Sequence, residues 1–144
     1  MGYTLATTVA RPFDRTLAEV RDALAEQGFG VLTEIDLRAT LKAKLDVDVA
    51  PHVILGACRP QLAHQALGID PAVATMLPCN VAVRAVDETT TTVEAFDPDA
   101  MTQLAGEALG EVAADARRRL TAVLAGLDAA DPDADPAADT DEEH

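Results

Sequence analysis

Apolar and polar residues alternate in short runs and then recur at helical spacing, and the two periods take turns along the chain. Tyr3, Leu5, Thr7 and Val9 fall on one side of a first strand over Tyr3–Ala10, which Arg11-Pro12 ends. Asp14 is placed to cap a helix whose apolar stripe is Leu17, Val20 and Leu24, with Phe13 just before it. Gly28 is placed to stop that helix in a left-handed conformation. Val31–Leu37 then reads as a second strand, completing a strand–helix–strand unit. Ala39–Leu45 is helix-prone, His52–Cys58 is a third strand, and Pro60–Leu67 is a helix opened by proline in its first turn. Pro71–Met76 predicts one helical turn, and Asn80–Val86 and Thr91–Phe96 a hairpin across Asp87-Glu-Thr-Thr90. A last helix is expected over Gln103–Leu127, with Leu109, Val112, Ala113, Ala116, Leu120, Val123, Leu124 and Leu127 facing inward. This order predicts an α+β fold: a mostly antiparallel sheet with helices packed on one face.

Composition sharpens the picture. The chain of 144 residues fits one domain, expected over 1–127, followed by a disordered acidic tail over 128–144 rich in Asp, Ala and Pro. Aromatic residues make up only 3% and Trp is absent, so the core has to be built from Val, Leu, Ile and Ala. The net charge is −14, and the tail holds eight of the 25 acidic groups, which leaves the body at −6. Phosphate recognition needs clustered Lys and Arg, so no nucleic-acid partner and no anionic membrane surface are expected. No apolar run reaches the roughly 20 residues of a membrane helix. Met1-Gly-Tyr-Thr-Leu lacks the basic and long apolar regions of an export signal. Two cysteines in that setting imply a cytoplasmic location and free thiols. Abundant Asp and only two Lys suit a high-salt cytoplasm.

Chemistry concentrates at two places, Val53-Ile-Leu-Gly-Ala-Cys58-Arg-Pro60 and Met76-Leu-Pro-Cys79-Asn-Val-Ala-Val83, each with a cysteine at the end of a strand-like run. Arg59 beside Cys58 offers a charge that favours thiolate. His64, on the following helix, is a candidate base or ligand, and Asn80 a candidate orienting amide. Strand parity puts Glu34 and Asp36 on one face, roughly 7 Å apart. If the polar sides coincide, that face also gathers His52, Cys58, Asn80, Arg84 and Glu94. Carboxylate, imidazole and thiolate can all hold metals. However, there is no Cys-x-x-Cys pair, no zinc-finger spacing, no glycine-rich phosphate loop and no Walker lysine. Buried, inert cysteines and a solvated or dimer-facing sheet surface explain the same residues without a site.

Four of these stretches together resemble the domain of unknown function 302 family. They are Gly28-Phe-Gly-Val-Leu-Thr-Glu-Ile-Asp36, Thr40-Leu-Lys-Ala-Lys-Leu45, Ile54-Leu-Gly-Ala-Cys-Arg-Pro60 with Leu62-Ala-His64, and Leu77-Pro-Cys-Asn80. The likeness covers residues 2–125. It implies a small α+β domain with a TATA-binding-protein-like arrangement of strands and helices, forming homodimers. The positions that match are Glu34, Asp36, Lys44, Cys58, Pro60, His64, Pro78, Cys79 and Asn80. It supplies no activity, and the acidic tail has no counterpart in it.

Three functional readings follow. The first is a cytoplasmic, dimeric domain that binds or senses a small ligand or cofactor of unknown identity at Cys58, Cys79, His64, Asn80, Glu34 and Asp36. The second is a thiol enzyme using Cys58 or Cys79 as nucleophile with His64 or Glu34 as base. The third is a structural dimerisation module, with Glu34, Asp36 and Arg84 at the interface.

Overall fold

Residues 2–129 are described by a computed structural model. Five strands, β1 (Thr4–Val9), β2 (Gly30–Asp36), β3 (His52–Cys58), β4 (Cys79–Asp87) and β5 (Thr90–Phe96), form one antiparallel sheet in the order β1-β5-β4-β3-β2. Because β1 and β2 lie at opposite edges, the helix joining them, α1 (Phe13–Glu26), has to cross the sheet. It shares that face with the C-terminal helix α5 (Gly110–Ala129). Around them lie α2 (Leu37–Leu45), α3 (Pro60–Ile69), a 3-10 turn over Pro71–Met76 and α4 (Asp99–Ala105). The fold is α+β, as the element order predicts. No helix among the described residues is long and apolar enough to cross a membrane.

The core follows from strand parity. Val53, Leu55 and Ala57 of β3, Val81 and Val83 of β4, and Val93 and Ala95 of β5 are buried against Val20 and Leu24 of α1 and Leu120, Val123, Leu124 and Leu127 of α5. Partners across antiparallel strands project to the same face, so the register aligns these residues as one apolar layer. Each buried Val or Leu contributes roughly 2 kcal/mol relative to exposure. The other face of the sheet carries Thr8, Thr92 and Glu94, then Asn80, Ala82 and Arg84, then His52 and Ile54.

Three local expectations are corrected. Asp14 does not cap α1: the N-cap is Pro12, and no side chain caps that terminus. Thr16 instead donates its hydroxyl to the Pro12 carbonyl at 2.9 Å. The last helix is broken in two, since Gly106 at φ 108° and a 3-10 turn over Glu107–Leu109 separate α4 from α5. The inward stripe still holds: Leu109 is buried within the 3-10 turn itself, and Ala113, Ala116, Leu120, Val123, Leu124 and Leu127 are buried along α5. The third correction concerns β2. A bulge between Val31 and Thr33 shifts its register, so that Glu34 pairs with Leu55 and Asp36 with Val53 on the helix-covered face. Thr33 and Ile35 turn to the open face beside Gly56 and Ile54. Unbroken alternation from Val31 would set Thr33, Ile35 and Leu37 on the core face with it, opposite Glu34 and Asp36; instead only Val31 packs on the core, Ile35 is 44% exposed and Leu37 begins α2. Gly56 permits that rearrangement, for a Cβ there would lie 2.1 Å from Thr33 Oγ1 and 2.8 Å from Pro78 Cγ.

Two further contacts hold the frame. Arg11, which marks the end of β1 in the sequence, is itself buried: it donates Nε–H to Glu19 at 2.7 Å and an NH2 hydrogen to the Leu127 carbonyl at 2.7 Å. A cation at the last turn of α5 complements the negative end of that helix. At the β4–β5 hairpin the Thr89 amide donates to Asp87 Oδ1 at 2.9 Å, which holds the Asp87 carboxyl below its ordinary range. The expected acidic tail lies outside the described residues from position 130 onward, while Asp128 belongs to α5 and accepts from the Thr7 hydroxyl.

Candidate functional site

Ala57 and Cys79 are cross-strand partners. That one pairing brings the end of β3 and the start of β4 together where the sheet runs out beneath α3, α4 and α5. An apolar cavity of about 40 Å³ opens there, with Cys58 and Cys79 both among its lining residues. Phe29 and Ala57 form its sheet side, Leu62 and Ala66 its α3 wall, Met101 its α4 wall, and Val112, Ala113 and Ala116 its α5 wall. The space holds a few atoms at most, since one water needs a cavity of about 10–15 Å³.

The walls follow from sequence. Pro60 opens α3 directly after the strand, and spacing of three and four turns Leu62, Ala63 and Ala66 inward. Ala113 and Ala116 are small residues on the buried stripe of α5, where a larger side chain would fill the space. Both cysteines are free and half-buried. Burial pushes the Cys79 thiol up to about 11, and the nearby Cys58 sulfur pushes in the same direction. Arg59 is the charged residue of the lining. It donates NH1–H to Gln61 Oε1 at 2.7 Å, while its buried Nε–H has no hydrogen-bond partner among the described residues. Its guanidinium lies over Gly28, where a Cβ would come within 3.3 Å of Nε. Gly28, at φ 83°, therefore ends α1 and leaves room for that cation.

The expected site residues separate into four places. Cys58 and Cys79 share the cavity. His64 is on the exposed side of α3, one position past the inward Ala63, and does not line it. Asn80 is exposed on the open sheet face opposite Gly56, in a separate groove of about 590 Å³ with His52, Ile54, Ala82 and Glu94. Glu34 and Asp36 do not join that polar face, because the β2 bulge reverses their parity. Glu34 instead pairs with Arg21 of α1, and Asp36 caps α2 by accepting the Ala39 amide at 2.9 Å. Arg84 and Glu94 do meet there, at 3.0 Å. Among the described residues, no group of three or more His, Cys, Asp or Glu side chains is placed to share a metal ion. Met101 and the α5 wall were not legible as site residues; the signal that could have found the wall is the pair of small residues, Ala113 and Ala116, inside an otherwise bulky stripe.

Residues 5–127 match the family model described as "Domain of unknown function DUF302". Among solved structures, the crystal structure of an uncharacterized conserved DUF302 protein from Bacillus stearothermophilus is similar, with a TM-score of 0.80 and 29% sequence identity. The match covers 88% of this chain and 99% of that one. No curated protein matches.

The Cys79 environment gives a pH dependence with a definite sign. In the unfolded chain this thiol ionises near 9.0, whereas in the folded protein it keeps its proton to about 11. Its contribution is complete below the unfolded value and is lost as pH rises through the folded one. Urea unfolding should therefore show stability falling between these values by on the order of 2 kcal/mol more in the wild type than in Cys79→Ala. Parallel curves for the two proteins would contradict the burial of this thiol.

Proposed function

The chain belongs to the DUF302 family, and from that premise we propose that it is a small-ligand binding and sensing domain whose site is the dithiol cavity between the sheet and α3, α4 and α5. One observation carries this reading: the chain's only two cysteines line a single apolar cavity, with an unpartnered guanidinium Nε–H at its edge. Apolar walls with few convergent polar groups are the usual make-up of a binding site. The small volume restricts the occupant to a few atoms. A reducing cytoplasm, expected from composition, would keep both thiols available. The thiol-enzyme alternative has less support, since His64 and Glu34 do not line the cavity.

The open sheet face favours a second reading alongside the first, as a homodimer surface. Ile35 is 44% exposed, and Tyr3 and Leu104, on the rim of the groove, are 70% and 77% exposed. The Arg84–Glu94 pair at the middle of that face suits a two-fold contact, in which one patch meets its own copy. Arg84 would then be interfacial, while Glu34 and Asp36 would not.

Two experiments test these readings. Methyl methanethiosulfonate should modify Cys58 and Cys79 in the folded, full-length protein faster than global unfolding occurs; modification only at the unfolding rate would overturn the cavity as a binding site. In sedimentation velocity the wild type should be a dimer and Ile35→Glu a monomer with unchanged circular dichroism. A monomeric wild type at tens of micromolar would dispose of the dimer, given that stable interfaces bury about 800 Å² per partner.

A further inference from the structure

The geometry points to a monovalent copper site: Cu(I) held by the sulfurs of Cys58 and Cys79, with the thioether of Met101 as a third donor. This rests on the cavity being a binding site, as proposed above, and names its occupant. Three sulfur-bearing residues from three elements, Cys58 of β3, Cys79 of β4 and Met101 of α4, are among the lining of one cavity. Among the described residues, no His, Asp or Glu lines it. Thiolate and thioether donors select Cu(I), whereas zinc calls for four ligands from nitrogen, oxygen and sulfur. The volume of about 40 Å³ suits a single ion and a modest shift of side chains, and does not suit an organic cofactor.

Charge agrees with this assignment. Binding replaces two S–H bonds by two Cu–S bonds and releases two protons, so one Cu(I) and two thiolates make a centre of net charge −1. The charged side chain of the lining is the Arg59 guanidinium, whose buried Nε–H lacks a partner among the described residues. It is placed to compensate that charge from outside the coordination shell. Apolar walls from Phe29, Leu62 and Val112 would limit access of water and oxidants to the ion. Met101 is flexible enough at its three torsions to bring its sulfur onto a metal.

The test uses metal-free, full-length protein under anaerobic conditions, with Cu(I) presented as its bicinchoninate complex. One equivalent should transfer to the wild type, and X-ray absorption should show sulfur-only coordination. Cys58→Ser and Cys79→Ser should each abolish transfer. Met101→Leu should lower the sulfur coordination number by one, and Arg59→Gln should weaken affinity about 10- to 100-fold. No transfer to the wild type would overturn the site, as would nitrogen or oxygen ligands in the wild-type spectrum. The spectrum keeps the proposal testable even if a cysteine variant fails to fold. Rapid methanethiosulfonate labelling without copper uptake would overturn copper and leave the cavity standing, whereas thiols that react only on unfolding would overturn both.

Discussion

The pairing of Ala57 with Cys79 is the contact on which the rest of the site depends. It is one rung of a ladder that runs through Leu55–Val81 and Val53–Val83, and the apolar side of that ladder is buried under α1 and α5. A slip by one residue would turn Val53, Leu55 and Ala57 to the open face and forfeit several buried aliphatic side chains at once. The register is therefore fixed by the core, and the core in turn brings the two thiols to the same end of the sheet. What begins as hydrophobic alternation ends as the placement of two thiols.

The opposite constraint operates at β2, an edge strand. Its bulge lets the chain leave the β3 register partway along, where Gly56 leaves room for Thr33 and Pro78. Two carboxylates that would have met His52 and Asn80 become structural groups instead, Glu34 as the partner of Arg21 and Asp36 as the cap of α2. The open face is left with the Arg84–Glu94 pair and exposed apolar side chains, a composition closer to an interaction surface than to a catalytic one. The two faces of the sheet therefore differ: the helix-covered one ends at the apolar cavity, and the other is left open with its polar pair and exposed apolar side chains.

How much of this was legible follows from the same physics. β3, β4 and β5 could be read from the chain because Val, Leu and Ala recur at every second position, and the one irregularity, between Ala85 and Asp87, falls at the hairpin end. β2 defeated parity, since a bulge is a tertiary accommodation that no period within Gly30–Asp36 reveals. Arg11 looked like part of a breaker beside Pro12, and its burial depends on Glu19 and on a carbonyl more than a hundred residues away. His64 was drawn to the site by nearness in sequence to Cys58, but a helix turns about 100° per residue, so following the inward Ala63 sends it outward. Cys58 and Cys79 are both among the lining residues of one cavity, whose other walls are apolar side chains and one guanidinium rather than an imidazole and an amide.

A short bifunctional reagent tests directly that Cys58 and Cys79 face one space. Metal-free protein treated with one equivalent of dibromobimane should become fluorescent, and a digest should yield a single adduct joining the Cys58 and Cys79 peptides. Separate adducts on the two cysteines, or crosslinks only between molecules, would mean that they face different surroundings and that the cavity is not a dithiol site.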